Sequence, residues 1–407
     1  MSRPASDRDA GADNLLQFRS EFPILERCTY LVSHSLGAMP RAVADGLASY
    51  ADDWGQLGVR AWGKGWWELP LTVGNEIAPL IGAADGEVVM VPNVSMAQAT
   101  VLSSLDYKAP RNRIVMTALD FPSVRYVHDS LAARLGAEIV VVPASSDGLG
   151  IDLSRLLDAI DARTRLVAIS HVLFRSAFIM DVAAICARAH EVGALVSLDS
   201  FHAVGVIPVD VRAIGCDFLT GGVLKWLCGG PGGCFLYVAP GQRGTLEPAL
   251  TGWQAHARPF GFEPAMEFAS DASRWLGGTP VIPALYAARE GPRVIRKAGV
   301  EAIRRKSMRQ TARLIELADA RGYAVNAPRD PLRRGGTVAL DVPHAYEVSQ
   351  ALIANNILVD YRPGAGIRIA PHFYTSDDEL DLAIATIDRA LASGSWREHG
   401  QTRAVVT

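Results

Sequence analysis

The feature that most constrains this fold is a regular alternation of short apolar runs with longer helical segments, beginning at Glu87. Helical periodicity fills most of the intervals between the runs. The runs with the length and composition of buried strands are Val88–Val91, Arg113–Met116, Glu138–Val142, Leu166–Ser170, Ala194–Leu198, Phe218–Thr220 and Cys234–Val238. This alternation predicts an α/β fold, in which helices cover both faces of a mostly parallel, seven-stranded sheet.

The part of the chain beyond Pro240 follows a different pattern. It contains a long helical stretch over about 283–321, then short strands near 336–341, 358–361 and 366–369 with helices between and after them. This order favours a smaller α+β domain at the carboxyl end. The predicted organisation is a disordered leader (1–14), an N-terminal segment packing on the small domain (15–60), a large domain (61–285), a small domain (286–393) and a disordered tail (394–407).

Composition excludes several classes of function. A net charge of −3 over 407 residues gives no reason to expect a nucleic-acid partner. The five cysteines are an odd number without a C-x-x-C pair, so neither a disulfide framework nor a metal site is predicted. Since the chain has no signal-like apolar segment and no run of 18 apolar residues, we expect a cytoplasmic protein without membrane contact.

The stretch from Ala194 to Cys234 carries the clearest chemistry. Asp199 follows an apolar run, and Lys225 follows a second one among Leu224, Trp226 and other apolar residues. A desolvated lysine is driven towards its neutral, nucleophilic form, and an aspartate at a strand end can keep a pyridine nitrogen protonated. The pair predicts a site for pyridoxal 5'-phosphate (PLP). The alternative is a helix-capping aspartate with a lysine that extends to solvent.

Other candidates follow strands, where α/β proteins bind their ligands. Val94 and Ser95 begin a helix whose free N–H groups favour a phosphate. Phe121 follows the second strand and is placed either to stack on a ring or to pack in the core. Arg368 interrupts an apolar strand and therefore needs an anion, either a substrate carboxylate or an internal salt-bridge partner.

Three motifs resemble those of the kynureninases, within the fold-type I, class V aminotransferase superfamily. They are D-x-x-H-x-x-G at Asp199, His202 and Gly205, the lysine in LKWLCGGPGG, and the early segment YLVSHSLGAMP. The resemblance extends from about Tyr30 to about Leu391. It implies the fold-type I architecture, PLP bound to Lys225 as a Schiff base, an amino-acid substrate, and a homodimer with shared active sites.

The resemblance also implies roles for individual residues. Arg368 would hold the substrate carboxylate, His34 would line the substrate pocket, and His202 would contact the cofactor or assist Asp199. The implied cofactor-binding residues are Lys225, Asp199, His202, Val94, Ser95, Phe121, Ser123, Ser170, Trp253, Ser270 and Thr279. The family usually has asparagine at the position of Ser270. The tryptophan-rich segment over 60–67 is interpreted either as a wall of the pocket or as a packed loop.

Three departures from the kynureninase pattern bear on the reaction. Leu224 replaces the tyrosine that precedes the lysine, Val124 replaces an aspartate, and His34 replaces an asparagine. The resulting prediction is a PLP-dependent enzyme that cleaves the side chain of an α-amino acid, by kynurenine-type Cβ–Cγ hydrolysis or a diverged variant. The alternatives are β-elimination such as C–S cleavage, transamination, or an inactive PLP-fold binding protein.

Overall fold

A seven-stranded sheet forms the centre of the computed structural model, which describes residues 13–399. The strands of all sheets in residues 13–399 are, in chain order, β1 (Thr29–Tyr30), β2 (Val88–Val91), β3 (Arg113–Thr117), β4 (Glu138–Val142), β5 (Thr164–Ser170), β6 (Leu195–Asp199), β7 (Phe218–Gly222), β8 (Cys234–Val238), β9 (Ala324–Val325), β10 (Val338–Asp341), β11 (Ile357–Leu358), β12 (Asp360–Arg362) and β13 (Gly366–Ile369). The central sheet has the order β2-β8-β7-β6-β5-β3-β4, and β8 alone runs antiparallel to its neighbours. The predicted α/β fold with a mostly parallel sheet is therefore confirmed.

Helices alternate with the strands along most of the chain. They are α1 (Ala42–Leu57), α2 (Leu69–Ile77), α3 (Val94–Ser103), α4 (Pro122–Leu135), α5 (Leu153–Ala159), α6 (Val182–Glu191), α7 (Val211–Ile214), α8 (Pro240–Arg243), α9 (Ile282–Ala288), α10 (Glu290–Ala298), α11 (Val300–Asp319), α12 (Ala345–Ala354) and α13 (Asp377–Ser393). Local chemistry fixes the starts that matter for function, because Asn93 caps α3 and Pro122 is the first residue of α4. Within residues 13–399, no helix is both long and apolar enough to cross a membrane.

A second, smaller layer forms from the carboxyl-terminal third of the chain. Its antiparallel sheet has the order β12-β13-β10-β9, and α11, α12 and α13 enclose a separate apolar core around it. The start of the chain joins this layer, since β1 pairs in parallel with β11 and Arg19 forms a salt bridge with Glu379. Residues close to both chain ends are thus held together beside the central sheet.

Two predictions about this region need correction. The helix predicted over about 283–321 is three helices, because the chain turns at Arg289 and at Gly299, which has a φ of 81°. Residues Ser395–His399 of the predicted disordered tail form a 3-10 helix, and Trp396 stacks on His344. Residues 1–12 of the predicted leader and 400–407 of the tail lie outside the described residues. The exact domain boundaries stay a prediction.

Candidate active site

Lys225 lies in the turn between β7 and β8, at the carboxyl edge of the central sheet. Its Nζ is 2.7 Å from Nε2 of His202, and 5.3 and 5.6 Å from the ring centres of Phe121 and Phe201. Burial lowers the pKa of Lys225 to about 8, and although the charge of Asp199 opposes this, that of Arg368 adds to it. The amine is therefore neutral in a far larger fraction of molecules at physiological pH than an ordinary lysine.

Asp199 is the last residue of β6, where the apolar strand delivers its carboxylate to the same edge. Its Oδ1 accepts a hydrogen bond of 3.1 Å from the Phe201 N–H, and its carbonyl accepts one from the His171 N–H. Burial raises the pKa of Asp199 to about 6, the charge of Asp120 acts in the same direction, and the charge of Lys225 opposes both. This buried carboxylate is suited to share a proton with a ring nitrogen.

His202 completes the contact with the lysine. The side chain is buried, and burial together with the positive charge of Lys225 holds its pKa well below the ordinary value. The imidazole is therefore neutral, and its Nε2 is positioned to accept a hydrogen bond from the Lys225 amine. Such a contact fixes the direction in which the amine points.

The early segment of the chain crosses directly over the lysine turn at Gly37. The Gly37 N–H donates a hydrogen bond of 2.7 Å to the Leu224 carbonyl. A Cβ at Gly37 would lie 2.2 Å from the Lys225 carbonyl oxygen, closer than any real side-chain contact. Only glycine therefore allows the N-terminal segment and the lysine turn to pass this closely.

Arg368 lies on β13, directly opposite Asp360 of β12. Its Nε and Nη2 donate to the two carboxylate oxygens of Asp360, at 2.8 and 2.5 Å, and its Nη1 donates to the Phe174 carbonyl at 2.7 Å. A guanidinium has five N–H donors. Two of them thus have no acceptor among residues 13–399. The predicted salt-bridge alternative is present, and it leaves donors with which Arg368 can also hold a substrate carboxylate.

His34 shares the carboxylate of Asp360. Its Nε2 is 3.0 Å from Asp360 Oδ1, and its buried Nδ1 has no partner within the described part of the chain. Burial lowers the pKa of His34 to about 4, and the charge of Arg368 acts in the same direction. The ring is neutral, so we assign the proton to Nε2, which leaves Nδ1 as a bare acceptor.

Asp360 is the functional residue that the sequence analysis missed. It is fully buried and also accepts a contact of 3.2 Å from Arg362. The signal available in the sequence was a single acid in an apolar segment, eight residues before Arg368. Only the register of the β12–β13 hairpin, which places the two residues opposite each other, identifies Asp360 as the partner of Arg368.

The residues predicted from the starts of α3 and α4 also lie at the carboxyl edge. Val94 and Ser95 form the first turn of α3, where N–H groups have no partner within the helix. Phe121 precedes α4 and packs edge-on against Phe174 at 5.4 Å, and Ser123 is in the first turn of that helix. This arrangement offers phosphate donors at one end and an aromatic face beside Lys225.

Ser170 is the last residue of β5 and lies opposite Asp199 in the sheet. Its N–H donates a hydrogen bond of 2.7 Å to Asp120. In this structure the backbone N–H of Ser170 is therefore bonded to an aspartate beside Asp199. Its predicted contact with the cofactor phosphate stays a prediction.

Three of the predicted cofactor residues, Trp253, Ser270 and Thr279, are on an exposed surface formed by residues 250–281. Trp253 packs against Trp67, Phe260 and Phe262. Thr279 lines a cavity of about 140 Å³. The tryptophan-rich segment over 60–67 contributes Trp67 to this aromatic cluster, which corresponds to its interpretation as a packed loop.

The groups at the carboxyl edge fit PLP. A lysine with a lowered pKa provides the amine, a buried aspartate provides the partner for the ring nitrogen, and Phe121 provides an aromatic surface. The first turn of α3 provides N–H donors for a phosphate. These four groups come from four different loops at one edge of the sheet, which is where α/β folds bind their cofactors.

Comparison with known sequences agrees with this geometry. Residues 30–370 match the family model described as aminotransferase class-V. A kynureninase of Pseudomonas fluorescens is 33% identical over 401 residues, which cover 95% of this chain and 94% of the relative. A kynureninase of Burkholderia pseudomallei (strain 1106a) is 33% identical over 417 aligned residues, with 99% and 98% coverage.

Solved structures share the fold at lower sequence identity. An apo cysteine desulfurase from Thermococcus onnurineus NA1 has a TM-score of 0.81 and 22% identity, covering 97% of this chain and 100% of that one. The cystine C–S lyase C-DES, in complex with cysteine persulfide, has a TM-score of 0.81 and 20% identity, covering 90% and 98%.

The fold and the lysine–aspartate site define a PLP-dependent enzyme, and the chain belongs to the class-V aminotransferase family. Within that family it is an enzyme of the kynureninase-like type, as its full-length similarity to two kynureninases shows.

Proposed function

We propose that the enzyme cleaves the side chain of an α-amino acid, with kynurenine-type substrates as the first candidates for Cβ–Cγ hydrolysis. The observation that carries this proposal is the arrangement of Lys225 and Arg368. Arg368 donates to the carbonyl of Phe174, and the Phe174 ring packs on Phe121 beside Lys225. In agreement with this arrangement, the charge of Arg368 contributes to the lowered pKa of Lys225. An amino acid that places its α-carboxylate on Arg368 would bring its α-carbon towards the Lys225 amine. Identity of 33% with kynureninases supports this choice of substrate.

Each residue then has a chemical task. Bound PLP supplies an electron sink for the charge that develops at the α-carbon. Lys225 would hold the cofactor and would serve as the general base for the α-proton, with His202 orienting its amine. Asp199 would retain the proton on the ring nitrogen, and Phe121 would shield one face of the site from water.

Leu224 favours a second candidate, β-elimination with a leaving group such as a thiolate. Hydrolytic cleavage requires a proton to be delivered to a carbanion, and the family places a phenol beside the lysine for this. In this chain the position is occupied by leucine, whose side chain has no acidic proton to donate. A thiolate departs without such help, so C–S cleavage demands less of this site. Transamination is the third possibility, since it needs only Lys225 as the proton carrier.

The test is to supply the purified holoenzyme with kynurenine, sulfur-containing amino acids and amino-acid/keto-acid pairs. Anthranilate, pyruvate and the new amino acid report hydrolysis, elimination and transamination. We expect anthranilate release to be slow compared with turnover of the best substrate. Because general acid–base groups contribute roughly 10²–10⁴-fold, Leu224→Tyr should accelerate anthranilate release within that range.

The matched control is Leu224→Phe, which supplies the ring without the hydroxyl group. It should leave anthranilate release at the unmodified level. Rapid anthranilate release by the unmodified enzyme would place it among ordinary kynureninases, and equal acceleration by both variants would exclude proton delivery as the reason.

We also propose that the enzyme is a homodimer with shared active sites. The support is the aromatic surface over residues 250–281, on which Phe262 is 73% exposed and Trp253 is 40% exposed. Trp253 and Thr279 would then reach the cofactor of the neighbouring subunit. Light scattering should give twice the chain mass, and mixing inactive Lys225→Ala with an inactive Trp253 variant should restore activity. A monomer that still turns over substrate contradicts the proposal.

We propose a cytoplasmic location for the enzyme. The support is that all five cysteines are free, which suits a reducing compartment. Fractionation of the native host with detection of the protein tests this.

A further inference from the structure

Asp120 is a buried carboxylate to which the proposed reaction assigns no task. It follows β3 and directly precedes Phe121, whose ring lies beside Lys225. Its Oδ2 accepts a hydrogen bond from the Thr117 N–H at 2.7 Å, and its Oδ1 accepts one from the Ser170 N–H at 2.7 Å. The carboxylate therefore joins the ends of two adjacent strands, β3 and β5.

The second of these bonds reaches the strand beside Asp199. Ser170 is paired with Asp199 in the register of β5 and β6, and the next N–H, that of His171, donates to the Asp199 carbonyl. Asp120 thus fixes the backbone immediately next to Asp199. Its charge also reaches that residue, since it raises the pKa of Asp199.

We propose that Asp120 is a second carboxylate of the cofactor site: it positions Asp199 through the backbone at Ser170, and its negative charge helps to retain the proton on the ring nitrogen of bound PLP. Asp120 is a positioning residue, because it acts on the cofactor through Asp199. Burial opposes ionisation of Asp120 by raising its pKa, whereas the two N–H donors favour the charged form.

The other titratable groups around Asp199 do not supply this charge. His171 and His202 are buried and neutral, since the pKa of His171 is lowered to about 4 and that of His202 lies well below its ordinary value. Burial holds the pKa of the Cys234 thiol, on β8, well above its ordinary value. The charge of Lys225, when it is protonated, lowers the pKa of Asp199, whereas the charge of Asp120 raises it. Asp120 is the group that opposes Lys225.

The test uses the holoenzyme loaded with PLP that is ¹⁵N-labelled at the ring nitrogen. The ¹⁵N chemical shift reports protonation of that nitrogen directly as the pH is raised. Asp120→Asn should move the loss of the proton to lower pH by roughly one unit, because a negative charge that stabilises the protonated ring nitrogen has been removed. It should also weaken retention of the cofactor in equilibrium dialysis.

The matched control is Asp217→Asn, at the opposite edge of the same sheet. Asp217 is also buried and accepts a strand N–H, that of Val196, at 2.8 Å. Both variants should melt at lower temperature, and only Asp120→Asn should change the ¹⁵N titration. An unchanged titration in Asp120→Asn, with melting lowered as in the control, would falsify the proposal and leave Asp120 as a structural cap.

A second pair of variants decides the matter if Asp120→Asn does not fold. Asp120→Glu and Asp120→Gln have the same length and differ in charge, so Asp120→Glu should retain more of the native titration. Equal titrations overturn the proposal. This inference rests on the Lys225–Asp199 site and not on the reaction. A wrong substrate leaves the ¹⁵N titration unaffected, whereas a wrong site leaves no labelled cofactor in any variant.

Discussion

Two buried basic residues, Lys225 and Arg368, differ in the groups that they contact and in the charge state that results. Lys225 contacts a neutral histidine and two aromatic rings, and its pKa falls to about 8. Arg368 is held by both oxygens of Asp360 and stays charged. The comparison shows how a protein obtains two functions from positive residues. A cation without a directly bonded carboxylate is converted towards a nucleophile, and a cation with one is kept as a binding group.

Among the variants that test this contrast, the one without Lys225 should show the largest change. Lys225→Ala should abolish covalent cofactor attachment and activity, so that borohydride labels no lysine of the site. The matched variant is Lys306→Ala, because Lys306 is also buried but bonds to the Phe373 carbonyl and to Asp13, each at 2.7 Å. It should lose stability and keep the bound cofactor. Borohydride labelling of another lysine in Lys225→Ala contradicts our assignment.

The next largest effect should come from unpairing the second cation. Asp360→Asn leaves Arg368 as an uncompensated buried charge, which should cost roughly 3–5 kcal/mol of unfolding free energy. Urea unfolding measures this. Asp381→Asn removes the partner of the half-exposed Arg313 and should cost no more than about 1 kcal/mol. Equal losses of unfolding free energy in the two variants would mean that the buried Asp360–Arg368 pair contributes no more to stability than the half-exposed pair.

The lowered pKa of Lys225 can be examined by the rate at which the apoenzyme takes up PLP. Because the neutral amine is the reactive form, the rate should rise about tenfold per pH unit below pH 8 and level off above it. A simple lysine derivative serves as the control, since its rate should continue to rise towards pH 10. If the enzyme behaves like the derivative, Lys225 is an ordinary lysine and the contrast with Arg368 disappears.

The smallest effect should come from His34, the neutral neighbour of the Arg368 pair. Its folded-state pKa of about 4 lies below the ordinary value near 6.5. The stabilisation is therefore complete above about pH 6.5 and is lost as pH falls towards 4. His34→Asn should reduce this acid loss by at most about 1.4 kcal/mol per pH unit. His128→Asn, which removes another buried histidine with a pKa near 4, should behave alike. An unchanged acid slope in His34→Asn refutes the assignment.

The sequence predicted the positions of the residues that lie at strand ends. Asp199 was predictable because an apolar run stops at it, and Lys225 because the residues around it are apolar. The central sheet followed from the same runs, since buried strands of a parallel sheet need apolar side chains on both faces.

Pairing between distant segments was not predictable in this way. Asp360 becomes the partner of Arg368 through a hairpin register, which depends on packing of the whole small layer. The breaks of the long predicted helix have local causes instead, because Pro292 has no N–H for the Ala288 carbonyl and Gly299 has a φ of 81°. The sequence predicts a disordered tail at Trp396, because the residue on which it stacks, His344, lies more than fifty positions earlier in the chain.

The crossing of Gly37 over the lysine turn, together with the arginine on β13, has a consequence for biosynthesis. Lys225 leaves the ribosome well before Arg368, and at 5–20 residues per second the interval is roughly 7–30 seconds. During that interval the nascent chain contains Lys225 but lacks Arg368, the residue that we propose as the binding group for the substrate carboxylate. On this proposal, a truncated translation product that ends before Arg368 would keep the lysine and lack the group that selects amino acids among amines.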